Sequence, residues 1–105
     1  MENLDAKLEA FRARLEADQL EGLKRHSVDC EPNRQGVKCW IKMGGKYAHI
    51  NVGNSGKYMV VLATGEIFGI KAYGVIHRGH AFGTLDTIAD YEWGEYRAIH
   101  RRIAA

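Results

Sequence analysis

The stretch from Ser55 to Gly74, SGKYMVVLATGEIFGIKAYG, limits the possible folds more than any other part of the chain. Lys57 to Val61 is rich in β-branched and aromatic residues, and Glu66 to Ile70 matches it, so the two read as paired strands. Leu62-Ala63-Thr64-Gly65 lies between them as a short loop. Gly65 stands where a type I turn followed by a left-handed residue needs a side chain without Cβ. Alternation sends Tyr58 and Val60 to one face and Met59 and Val61 to the other. Both faces are largely apolar, which places this hairpin inside a sheet rather than on an exposed edge.

Upstream, Val37, Cys39, Ile41 and Met43 alternate with Lys38, Trp40 and Lys42, the pattern of a half-buried strand with a basic outer face. Gly44-Gly45 is a hairpin turn, and Lys46 to Val52 returns with Tyr47, His49 and Asn51 opposite Ala48, Ile50 and Val52. Gly53-Asn54-Ser55-Gly56 marks the next turn. At the N-terminus Asn3 is placed to cap a helix. Leu4, Leu8, Phe11 and Leu15 then form one apolar stripe, and Arg12 with Glu16 and Arg14 with Asp18 are spaced for ion pairs. That stripe either packs on the sheet of its own chain or zips to a second subunit. Gly22 weakens the last turn, and Glu31 to Gly36 reads as a polar loop.

Beyond Lys71 the periodicity fails. Lys71 to Ile76 is a further strand or an extension of the previous one, and His77 to Asp86 reads as a long loop rich in Gly and His. Thr87-Ile88-Ala89-Asp90 resembles a capping box and predicts a short helix, Ile88 to Trp93, ended by Gly94. Tyr96, Ile99 and Ile103 are spaced as a weak helix face, with Arg97, His100, Arg101 and Arg102 basic around it. The expected fold is α+β in one domain, residues 1–105: an N-terminal amphipathic helix on a four- or five-stranded antiparallel meander, a long Gly/His loop and a short C-terminal helix. The expected bounds are helix 3–24, sheet 36–76, loop and short helix 77–94, and basic tail 95–105. Leu8, Phe11, Leu15, Ile41, Ile50, Val60, Ile67 and Ile70 are the expected core.

The net charge is only +2, but it is unevenly placed: residues 1–30 carry −2, residues 31–82 carry +5 and residues 83–105 carry −1. A basic middle suits an anionic partner for the sheet; it equally suits acidic helices lying beside a basic sheet of the same chain. No apolar run approaches membrane-spanning length, and the charged, amphipathic start is not a signal peptide, so a cytoplasmic protein is expected. Cys30 and Cys39 are then free thiols.

No catalytic motif appears, and a non-enzymatic role is expected. His77 and His80 make one H-x-x-H pair, but the cysteines are too far apart to complete a zinc site, and no metal or other cofactor is expected. Cys39 on an apolar strand face is packing, not a nucleophile. Anion binding fits better. Lys46-Tyr47, Lys57-Tyr58, Lys71-Ala72-Tyr73 and His77 to Phe82 interleave cations with aromatic rings, and Gly74, Gly79 and Gly83 let backbone N–H groups approach an anion. The candidate ligand residues are Arg78, His77, His80, Lys71, Tyr73, Phe82, Lys57 and Tyr58. Arg78 is expected to grip an anionic group, with His77 and His80 flanking it as donors and Tyr73 or Phe82 stacking. If both histidines bind as cations, affinity falls as pH rises through about 6.5. The plain alternative is a solvated crossover with Arg78 a surface charge. An uncovered second sheet face carrying Trp40, Tyr47 and Tyr58 predicts a homodimer or larger assembly.

The order of an amphipathic helix, Lys46-Tyr47-Ala48-His49-Ile50, Ser55 to Val60, Thr64 to Lys71 and then Gly83-Thr84-Leu85-Asp86 resembles small accessory proteins encoded by bacteriophages and prophages, over residues 8–86. The resemblance carries over no catalytic residue. It implies a viral accessory protein in the host bacterial cytoplasm that acts against host defence. Such a protein sequesters a phosphate-bearing signalling nucleotide, or blocks a host defence complex in the manner of an anti-CRISPR. A weak nucleic-acid binder is a third reading, and no membrane partner is expected.

Overall fold

The computed structural model describes residues 3–94 and 98–100. Helix α1 spans Leu4–Arg25 and a single helical turn, α2, spans Glu31–Gly36. Five strands follow: β1 (Cys39–Met43), β2 (Tyr47–Val52), β3 (Ser55–Val61), β4 (Glu66–Ala72) and β5 (Val75–Thr84). They pair antiparallel in sequence order, as a meander. A 3-10 turn, Ile88–Asp90, leads to β6 (Tyr91–Glu92), which pairs with β7 (Ile99–His100). The architecture is the expected α+β one, a helix on an antiparallel sheet. Gly65 closes the central hairpin with a φ of 78°, its N–H bonded to the Val61 carbonyl at 2.7 Å.

The helix stripe packs on the sheet of its own chain. Leu8, Phe11 and Leu15 are buried against Cys39, Ala48, Ile50, Tyr58, Val60 and Ile67. The expected ion pairs form at Arg12–Glu16, 3.0 Å, and Arg14–Asp18, 3.7 Å. Arg12 and Glu16 also guard the free edge of β1: the Arg12 guanidinium donates to the Cys39 carbonyl, and the Cys39 N–H donates to Glu16. This satisfies edge groups that would otherwise recruit another strand.

Several expectations need correction. The stretch read as a long Gly/His loop is strand β5. Gly69 pairs with His77 and Phe68 with Ala81, so Arg78, Gly79 and His80 bulge out of the ladder between them. The Glu31 to Gly36 loop is helical, with Pro32 in its first turn where a missing N–H costs nothing. Asn3 makes no side-chain cap; it takes a left-handed conformation and its carbonyl accepts from Lys7. Thr87 does not open a helix to Trp93, because its hydroxyl is engaged with the Thr84 backbone and only a 3-10 turn follows. Ile99 and His100 are in a strand, not on a helix face; Tyr96, Arg97, Arg101, Arg102 and Ile103 lie outside the described residues. Of the expected core, Ile41 and Ile70 are only half-buried.

The largest fully buried side chain is one that periodicity does not mark. Trp93 is 0% exposed and packs edge-on to Phe11 and Tyr58, at 4.7 and 5.2 Å between ring centroids. Phe82 and Tyr91 complete the aromatic cluster. The main chain at Trp93 is tied to α1: its N–H donates to Asp18 at 3.1 Å and its carbonyl accepts from Gln19 at 2.6 Å. Where this segment crosses the helix, Gly22 faces Gly94; a Cβ on Gly22 would lie 2.7 Å from the Gly94 oxygen. Gly22 is thus a crossing point, and its cost in helix propensity of about 1 kcal/mol is offset by close approach. Among the described residues no helix is long and apolar enough to cross a membrane.

Truncating Trp93 or Phe11 to alanine is expected to destabilise the fold by about 3–5 kcal/mol. Urea unfolding monitored by circular dichroism measures it. An unchanged midpoint for Trp93→Ala would mean that the segment after β5 is not docked.

Candidate functional site

A cleft of about 640 Å³ opens across the β3, β4 and β5 end of the sheet. Ser55, Gly56, Lys57, Tyr58, Gly69, Ile70, His80 and Phe82 line it. Tyr58 and Phe82 belong to the aromatic core, so the cleft lies on the same side of the sheet as α1. Two irregularities create it. In β2–β3 pairing, Ile50 meets Tyr58 and Asn51 meets Gly56, which leaves Lys57 as an extra residue in a bulge beside Tyr58. In β5, the bulge at Arg78–His80 brings the His80 side chain above Gly69, where a Cβ would sit 3.2 Å from His80 Cβ.

The eight sequence candidates divide between the two faces. Lys57, Tyr58, His80 and Phe82 line the cleft. His77 backs His80: the rings are parallel to within 3° with centroids 3.9 Å apart. Lys71 is exposed, two residues beyond Gly69, at the irregularity between Ile70 and Ala72, and does not line the cleft. Arg78 and Tyr73 are on the opposite face. Arg78 donates to the Tyr47 hydroxyl at 3.2 Å and lies over the Phe68 ring at 5.5 Å. Tyr73 stacks on His49 at 6.0 Å.

Two site expectations change as a result. Arg78 is not flanked by His77 and His80, because the bulge turns it to the other face. Phe82 is not an open stacking surface; with Tyr58 it is buried, and the two form the inner wall of the cleft. His77 and His80 stack on each other, and the His77 Nδ1 accepts the Gly79 N–H at 3.2 Å. The second face is also better covered than its composition suggests. Met59 and Phe68, 2% and 6% exposed, are buried within the single chain under a cover that includes Arg78, while Trp40 stays exposed.

The cleft's cation is Lys57. Burial lowers the pKa of its ammonium below the ordinary lysine value, since desolvation penalises the charged form. Burial likewise pushes the Tyr58 hydroxyl well above the usual phenol range, opposed in part by the Ala98 backbone. Cys39 is no nucleophile: burial, then the Glu16 carboxylate, push its thiol up to about 12. Among the described residues, no group of three or more His, Cys, Asp or Glu is placed to hold a metal ion. The lining residues that sequence reasoning missed are Ser55, Gly56, Gly69 and Ile70; in the sequence they are indistinguishable from ordinary turn, strand and core residues. Compared with protein-family models, with curated proteins and with solved structures, the chain finds no match.

A thiol reagent is expected to label exposed Cys30 rapidly in the native protein and Cys39 only on unfolding. Mass spectrometry of labelled peptides checks this; equal native labelling would contradict the burial of β1 under α1.

Proposed function

We propose that the cleft captures a small phosphate-bearing ligand without transforming it, and that the protein serves as a phage accessory protein sequestering a signalling nucleotide of the host. The observation that supports this most is the half-buried Lys57 ammonium set in a ligand-sized cleft. An ammonium in such a cleft can hold an anion by charge-assisted hydrogen bonds. Ser55 and His80 add hydrogen-bonding groups beside it.

Calorimetry with inorganic phosphate, mononucleotides and cyclic dinucleotides tests the reading. Lys57→Met is expected to weaken binding by about 1.5–3 kcal/mol, the range for a hydrogen bond to a charged group. Circular dichroism of the variant checks that the fold is retained. The charged ammonium is the binding form, and its pKa is lowered. Affinity should therefore be lost as pH rises, starting below the ordinary lysine value of about 10.4. A wild-type protein that binds none of these ligands, or a Lys57→Met variant that binds equally well, would defeat the proposal. Co-purification with a host protein, with no nucleotide bound, would replace it by a protein inhibitor.

A further inference from the structure

The face of the sheet away from α1 holds a second arrangement, which shares only Gly56 with the cleft. Asn51 is 1% exposed, and neither its side-chain nitrogen nor its oxygen has a hydrogen-bond partner among the described residues. Its register fixes where it points. Cys39 and Ile50 pack in the helix-side core, whereas Asn51 pairs directly with Trp40 and shares that residue's face. On the other flank Asn51 pairs with Gly56, and the Tyr73 ring lies on Gly56: a Cβ there would be 2.9 Å from Tyr73 Cδ2. A buried amide with a free donor and a free acceptor thus lies between two aromatic side chains. Those two, 45% and 55% exposed, are the most exposed aromatic residues among the described ones.

Each ring is held from the protein side. The Trp40 indole N–H donates to the Gly53 carbonyl at 2.9 Å, and Tyr73 stacks on His49 with 13° between the planes. Cations surround the pair: Lys42 is exposed opposite His49, and Arg78 bridges to Tyr47. Glu66 is the one acid on this face among the described strand residues; it is bonded to Thr64 at the far end of β4.

We propose that Trp40, Asn51 and Tyr73 form a nucleobase slot. An asparagine amide offers an adjacent donor and acceptor, which match the N6 and N7 edge of adenine. Tyr73, next to the Gly74 turn of the β4–β5 hairpin, turns off Gly56 to admit the base, which then pairs with the otherwise unsatisfied amide. The shared chemistry is a nucleobase, from a free nucleotide or a single strand.

Trp40 fluorescence reads the slot, because Trp93 is wholly buried. The four nucleosides carry no phosphate and so bypass the cleft; oligo-dA and oligo-dT serve as strands. Saturable quenching by adenosine is expected, weakened at least tenfold by Asn51→Leu and unaffected by Lys57→Met. Tyr73→Ala, at an exposed position, should weaken it similarly and covers the case in which Asn51→Leu does not fold. Tighter, salt-sensitive quenching by oligonucleotides assigns the base to a strand; equal affinity for nucleoside and strand assigns it to a free nucleotide. No saturable quenching by any nucleoside or strand would overturn the slot. So would quenching unchanged in both Asn51→Leu and Tyr73→Ala, which leaves Asn51 as a structural residue only.

Discussion

Trp93 enters the core from far along the chain and is held there by three hydrogen bonds. Two join its main chain to Asp18 and Gln19 of α1, and its indole N–H donates to the Ile88 carbonyl at 2.9 Å. Around this ring pack Phe11 from the helix, Tyr58 from β3 and Phe82 from β5. The helix stripe alone is narrow, and three apolar side chains cannot cover one face of five strands. Trp93 and Leu85 fill what α1 leaves open. The cleft depends on the same packing, since its inner wall is the outer side of Tyr58 and Phe82. Loosening Trp93 would therefore loosen the cleft wall as well.

The helix, the order of the first four strands and the Gly65 turn were legible because each follows a single period. Strand β5 was not. Its three-residue bulge breaks the alternation at Arg78–His80, and Gly79 and Gly83 dilute what pattern remains. Trp93 was missed for a different reason: it is a lone apolar residue between Glu92 and Gly94, and no periodicity points to it. Only the return of the chain across α1 makes it central.

The candidate site was legible as a set of residues and not as an arrangement. Cations and aromatics that are neighbours in sequence fall on opposite faces of a strand. The bulges then reassign them, placing Lys57 beside Tyr58 and sending Arg78 away from His80. Local sequence gives no sign of a bulge unless a glycine marks it, and Lys57 is not one. The buried state of Asn51 was equally hidden. Its position in the alternation was read correctly, but its burial follows from the register with Trp40 and Gly56, a property of three strands together.

The tie between α1 and Trp93 also bears on the order of folding. The hydrogen bonds that make it join residues 74 and 75 positions apart, whereas each strand of the meander pairs with its immediate neighbours in the chain. Contacts that close long loops lose more chain entropy before they are rewarded. Loop-closure entropy therefore favours an order in which the meander pairs first and the tie between α1 and Trp93 closes last. Until then Tyr58, Val60 and Ile67 face water on one side of a partly assembled sheet. The free edge of β1 is exposed over the same interval, because Arg12 and Glu16 reach Cys39 only from a docked helix. The period of greatest aggregation risk for this chain thus falls between completion of the sheet and arrival of a single tryptophan.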